Sequence, residues 1–432
     1  MRQMLDNSMD YTDMKIEAKF RLLNAARLVD GLGGPVRERA AVLLEDNKIT
    51  QIGTEETVSV PEGVQLEQID FGERTILPGL VDCHVHLIGI GDGRSGEELA
   101  ALPDEILTLQ AAHNAKLHLC SGVTTVRDCG AKNQTAFLLR RAVDMGITPA
   151  PRLILAGRPI TLAEGHLGYF GARPTGPVEC QAAVRQLIKE GADFIKIVAT
   201  GGSTKTSSAQ QPSFEVTELK TICDEIHNFG KHAAAHCVST QGMFNVLEAG
   251  IDTITHGIHK EPDGSTRYRP EISERIAEQG VFVNPAMYAT RARVEKLETK
   301  QDQGGLTETE QTQLDRVRTE HEVRLDHFRR MRDAGVTMVC GSDSAWGNYK
   351  MGNFQGELEE AVAGGMSPME SIVAATRDSA DSCWLDDVGS LEQGKQADLL
   401  VVDGDPTQNI KDLRKVVEVI QRGKTVYKGN YV

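Results

Sequence analysis

Two histidines one residue apart, His84 and His86, close the apolar run Leu77-Pro78-Gly79-Leu80-Val81-Asp82-Cys83-His84-Val85-His86-Leu87. If the run is a strand entered through Pro78-Gly79, alternation turns both imidazoles to the same side. A pair of imidazoles so placed can chelate a borderline divalent metal such as zinc. Four further residues of metal-binding or proton-transfer type belong to other apolar runs: Lys196 inside Phe194-Ile195-Lys196-Ile197-Val198, and, at run ends, His236, His256 and Asp343 in Cys340-Gly341-Ser342-Asp343-Ser344. Each alone fits a core histidine, a turn or a helix cap. Six of them on five strand ends are hard to attribute to chance.

Lys196 is the most informative. An ammonium inside an apolar strand is costly unless it finds a partner, a shifted pKa or a modification. It could reach a carboxylate at the strand ends. Carboxylated by carbon dioxide, it would instead be an anionic carbamate able to bridge two metals, the better reading beside four histidines and an aspartate.

The elements that would position these residues follow from hydrophobic periodicity. Eight short apolar runs read as buried strands: 81–87, 124–127, 153–156, 194–198, 232–236, 253–256, 281–284 and 337–341. Helical patterns separate them, including 104–119, 178–190, 215–229 and 240–249, and Gly191, Gly230, Gly250, Gly280 and Gly335 stand as helix stops. The fold expected is α/β, a (β/α)8 TIM barrel with its chemistry at the C-terminal strand ends. A doubly wound open sheet is the alternative that periodicity leaves open.

Both chain ends read as strands and turns, with a hairpin turn over 45–48. Sheet edges need partners, so the ends are expected to form one discontinuous small β-sandwich. The expected organisation is a tail over 1–15, the sandwich over 16–76 plus 388–432, and the barrel over 77–387.

The 432 residues carry a formal net charge of -15, which argues against nucleic acid or an anionic membrane surface as partner. No run is apolar enough to span a membrane, and the N-terminus lacks a signal-peptide core. The 8 scattered cysteines, none in a Cys-x-x-Cys pair, suit a reducing cytoplasmic location. The partners expected are a small-molecule substrate and further copies of the chain.

The Pro-Gly-Leu-Val-Asp-Cys-His-Val-His strand, the Lys196, His236, His256 and Asp343 strand ends, and Gly394-Lys395-Gln396-Ala397-Asp398-Leu399 together resemble the amidohydrolase superfamily over nearly the whole chain. Lys196-Ile197-Val198-Ala199-Thr200-Gly201-Gly202 and Glu164-Gly165-His166 resemble its binuclear branch of Xaa-Pro dipeptidases and Xaa-Arg carboxypeptidases, related to imidazolonepropionases. One departure is Thr255, where that branch commonly has Glu. The resemblance implies two divalent ions, zinc by expectation. His84, His86 and Asp343 would hold one ion and His236 and His256 the other, with carboxylated Lys196 and a hydroxide between them. Asp343 would serve as general base and acid. The implied activity is hydrolysis of an amide-type C–N bond, in a dipeptide or N-acyl amino acid. A carbamate, urea or cyclic amide is the alternative substrate, and a barrel scaffold without catalysis the alternative of another class.

Two residues are candidates for substrate binding: His166, in the loop after the third strand, and Tyr288, just after the seventh, as an oxyanion or carboxylate donor. His232 reads as core or as a support to the site residues, and His259 as exposed. His113, His118, His227, His321 and His327 fall in helical patterns and read as structural or solvated. The charged helical patterns 291–303 and 307–331 read as a solvated insertion, with a lid over the strand ends as the functional alternative. The polar stretch 203–213 reads as the better candidate for a moving loop.

Overall fold

The two chain ends meet along the strand that leads into the histidine run. A computed structural model describes residues 19–347 and 349–429, so the expected tail over 1–15 lies outside the described residues. β1 (Phe20–Leu28) pairs antiparallel with β2 (Arg37–Glu45), which turns at Asp46-Asn47 into β3 (Lys48–Thr54). β4 (Leu66–Asp70) lies parallel to the first half of β1 and β5 (Thr75–Pro78) parallel to its last residues.

The C-terminal β13 (Leu399–Val402) adds antiparallel to β5, and β14 (Val416–Gln421) and β15 (Lys424–Lys428) follow. The ends thus share one eight-stranded sheet that forks at β1. The fork arises because β4 and β5 are too short to run the length of β1 and pair with different stretches of its edge. Leu23, Val42, Leu44, Ile76, Leu399, Val401 and Ile420 fill the core beneath this sheet.

Between the ends the period changes to strand and helix. β6 (Leu80–Val85), β7 (Val123–Asp128) and β8 (Arg152–Leu155) form one parallel sheet. β9 (Ile195–Val198), β10 (Ala233–Ser239), β11 (Thr253–Lys260) and β12 (Phe282–Asn284) form another. Every residue of β6, β7, β9 and β10 is buried, as parallel strands covered by helices require. The helices over 176–190 and 270–279 stop at Gly191 and Gly280, both left-handed at φ 109° and 67°, where a side chain would be strained.

The two sheets are hydrogen-bonded at both seams. Asp193 N donates to Leu155 O at 2.8 Å, and Ile160 N to Lys196 O at 2.8 Å. At the other seam, residues 337–344 run between β12 and β6: Val339 N donates to Val283 O at 2.9 Å, Cys83 N to Cys340 O at 3.2 Å and Asp343 N to His84 O at 2.7 Å. This stretch was expected as a regular strand and is not one. Ser342 and Ser344 fold back together, with Ser342 Oγ bonded to Asp82, and Asp343 adopts φ 54°. No helix among the described residues is long and apolar enough to cross a membrane.

Candidate metal centre

Strand alternation places Asp82 and His84 on one side of β6, with His86 just beyond its end, and the outer hydrogen bonds of the two histidines set their tautomers. Asn284, at the end of β12, donates Nδ2–H to Gly341 O at 2.9 Å, so its Oδ1 accepts from His84 Nδ1 at 2.8 Å. His86 Nδ1 donates to Gly130 O at 2.9 Å. Both Nε2 lone pairs therefore face inward, 3.3 and 3.4 Å from Asp343 Oδ1. Three acceptor atoms converging at such distances repel one another unless a cation or a proton lies among them. The donor set of imidazole nitrogens and a carboxylate suits a divalent metal.

The remaining residues close around this point. Ligand atoms of His84, His256 and Asp343 all lie within 4.8 Å of one another. The His236 ring centre is 4.6 Å from that of His256, and His236 gives Nε2–H to Gly201 O at 3.2 Å, leaving its Nδ1 lone pair free. Lys196, 1% exposed, puts Nζ 3.1 Å from His84 Nε2 and 3.1 Å from Thr255 Oγ1. Thr255, which stands where a Glu was expected by resemblance, passes its own proton to Ala235 O at 3.1 Å. His256 and Asp343 sit in the left-handed region at φ 74° and 54°, strain of about 1–3 kcal/mol each for a non-glycine residue. Such outliers gather where a side chain must be aimed.

Burial governs the electrostatics. It pushes the His256 imidazole down to about 3 and His166 to about 4, and takes His84 and His236 well below their ordinary value. These rings are neutral, as metal ligands must be. Burial also lowers the Lys196 pKa, which favours the neutral, nucleophilic amine. For Asp343 burial opposes ionisation, but a positive charge shared with His84, and with His86 beside it, outweighs burial and holds its carboxyl well below the usual range.

All six of these residues and His166 open into a cavity of about 1000 Å3. His166 is held by Thr204, whose Oγ1 meets His166 Nδ1 at 2.9 Å and Leu167 N at 3.2 Å. The stretch 203–213 is thus tied over the centre through Thr204. A Cβ on Gly202 would stand 2.5 Å from the His166 ring, so the loop can approach only as glycine there.

Three expectations are corrected. Tyr288 does not line the cavity: as the first residue of the helix Tyr288–Gly304 its hydroxyl runs forward along the helix to Glu295 at 2.8 Å, and its ring packs on Tyr349. His259 is buried rather than exposed, stacked on Tyr268 and accepting the Arg269 amide at Nδ1. The segment 287–335 is not merely a solvated insertion. It folds as the helical pair Tyr288–Gly304 and Glu308–Asp333, and Thr290, Arg293, Arg316 and Arg324 wall the cavity.

Sequence reasoning missed Asp82, Asn284 and Arg324. Asp82 shares the parity of His84 and His86, and Asn284 is a polar end to an apolar run, so both left a signal. Arg324 left none.

The fold and the centre define a hydrolase of the amidohydrolase class, and the chain belongs to the amidohydrolase family, whose model matches residues 75–426. It is an enzyme of that family. Ochratoxinase of Aspergillus niger is 27% identical over 451 residues, covering 96% of this chain and 88% of the relative. Imidazolonepropionase of Pyrobaculum arsenaticum is 25% identical over 419 residues, 88% of this chain and 92% of the relative. Among solved structures, a Xaa-Pro dipeptidase with methionine bound in its active site superposes with a TM-score of 0.80 at 29% identity, covering 95% of this chain and all of that one.

Proposed function

We propose that this enzyme hydrolyses an amide-type C–N bond in a small molecule, a dipeptide or N-acyl amino acid, at a two-metal centre inside a closed (β/α)8 barrel. The observation that supports it most is the convergence of His84 Nε2, His86 Nε2 and Asp343 Oδ1 beside the buried amine of Lys196. His84, His86 and Asp343 would hold one ion and His236 and His256 the other, and Lys196, if carboxylated, would supply a further anionic ligand. Divalent ions, when bound, acidify the attacking water and polarise the scissile carbonyl.

The chain's own residues do the rest. Asp343, ionised in its pocket, takes the proton of the attacking water and returns it to the departing nitrogen. His166, positioned by Thr204, contacts the substrate carbonyl side of the cavity. The 202–209 loop and the helical pair exclude bulk water. The residues 337–344 close the barrel between the last strand and β6. The 8 free cysteines suit a cytoplasmic location.

The Xaa-Pro dipeptidase and ochratoxinase likenesses support an amide substrate. The imidazolonepropionase likeness supports the second reading, a cyclic amide. Metal analysis of protein prepared without chelator, together with amine release from dipeptides, N-acyl amino acids and cyclic amides, tests the proposal. Two ions per chain and release from an acyclic amide are expected. Loaded protein that turns over only cyclic amides would replace the first reading with the second, and no metal at all would sink both.

A further inference from the structure

The cavity wall is basic in an acidic chain. Apart from the metal-centre residues it presents Arg94, Lys260, Arg293, Arg316 and Arg324 against Glu97 and Glu320, while the whole chain carries a formal net charge of -15. Some of these cations are already answered: Arg94 pairs with Asp92 at 2.8 Å and Arg293 with Glu320 at 3.6 Å. Arg324 is not. It donates Nη1–H to Thr290 Oγ1 at 2.7 Å, and Nη2–H to Ala286 O at 3.1 Å and to Pro285 O, all neutral acceptors. Among the described residues no carboxylate lies within ion-pair distance of it. Lys260, ending β11 four residues beyond His256, and Arg316 also have no anionic partner there.

The placement is systematic. On the helix Glu308–Asp333, Leu314, Val317, Leu325 and Phe328 are buried, and Arg316, Glu320, Val323 and Arg324 form the neighbouring stripe that faces the cavity. Arg324 stands close enough to His256 and Asp343 for their charges to act on one another. A half-buried guanidinium held open by neutral acceptors is costly alone and favourable once an anion completes it.

We propose that Arg324, supported by Lys260 and Arg316, binds a carboxylate of the substrate, so that the preferred substrates are N-acyl amino acids or dipeptides with a free C-terminal acid. This rests on the amide-hydrolase reading and names its substrate class.

The probes are N-acetyl derivatives of phenylalanine, leucine, methionine and proline, each as free acid and as C-terminal carboxamide, with acetate release as readout. The metal-loaded wild type should favour the acid of at least one pair by about 10- to 100-fold in kcat/KM, the worth of a charge-assisted hydrogen bond. Arg324→Met should collapse that ratio, with most of the loss on the acid, and Arg324→Lys should recover part of it. A wild-type ratio near one, or equal losses on acid and amide in Arg324→Met, would overturn the proposal and leave Arg324 as a staple of the Pro285-Ala286 turn. If Arg324→Met does not fold, the double variant Lys260→Met/Arg316→Met is read in the same way, and an unchanged ratio there overturns it. If loaded wild type cleaves neither member of any pair, the acyclic-amide reading fails. The anion site is then decided by calorimetric titration with the same probes, where tighter binding of acids than amides supports it and equal binding overturns it.

Discussion

His118 Nε2 lies 2.8 Å from Asp82 Oδ2 with both side chains fully buried, and this pair anchors the floor of the candidate metal centre. The Gly352 amide donates to His118 Nδ1 at 3.0 Å, which makes Nε2 the protonated nitrogen. Asp82 then gathers four donors: His118, the His84 amide at 3.1 Å, the Ser342 amide at 2.9 Å and the Ser342 hydroxyl at 2.6 Å. One carboxylate thus joins the strand bearing His84 and His86 to the irregular stretch bearing Asp343.

Asp82→Ala leaves four buried donors unsatisfied. We expect a loss of about 3 kcal/mol in unfolding free energy, with weakened metal retention because Asp343 is no longer held against His84. Urea denaturation and metal analysis check both. Wild-type stability in this variant would reduce the network to packing.

Asp343→Asn keeps the shape and one oxygen but cannot accept a proton. Turnover should fall about 10²–10⁴-fold, the usual worth of a general base, while KM changes little. The comparison requires protein with metal content verified equal to wild type. A rate within a few-fold of wild type would make Asp343 a ligand only and direct the search for the proton carrier to His166.

Lys196→Ala removes the proposed bridge. Metal content and turnover should drop together, by more than the about 10- to 100-fold that partners outside the ligand set cost. Added acetate or propionate should restore part of both by supplying the missing anion. Normal turnover in Lys196→Ala would eliminate the bridging role.

His259 gives a pH dependence. Burial holds its imidazole down to about 3, with His327, Arg330 and Arg269 adding to the effect. In the unfolded chain it takes a proton near pH 6.5. Below that pH the unfolded state binds one more proton than the folded state, so stability is present above about 6.5 and falls with falling pH, by about 1.4 kcal/mol per unit from one such group. His259→Phe should lose less stability than wild type between neutral pH and pH 4.5. Parallel urea-midpoint curves for the two proteins would show that His259 is protonated in the fold.

Much of the centre was legible before folding. His84 and His86 follow from a period of two, Lys196 from the cost of an ammonium inside an apolar run, and His236, His256 and Asp343 from their places at the ends of apolar runs, because a buried strand leaves a polar group little use except at its mouth. Gly191 and Gly280 marked helix ends because only glycine takes those torsions without strain. The pairing of the two chain ends was also legible, since exposed strand edges demand partners.

Direction and distance were not. Tyr288 had the right position and the wrong aim, because a helix starting at that residue turns its hydroxyl along its own axis to Glu295. His259 lost its solvent to Tyr268 and His327, from other parts of the chain. Asp82 finds His118 36 residues away, His84 finds Asn284 200 residues away, and Arg324 reaches back 39 residues to Pro285. By itself the sequence determined which side chains could ligate a metal and, apart from Asp343, the strands that carry them, because periodicity and the cost of burying charge are local. Only the tertiary structure decided which lone pairs face inward, how Asp343 is turned to meet them and which cations are left unanswered in the cavity wall. Those depend on contacts between segments far apart in the chain, which no local pattern encodes.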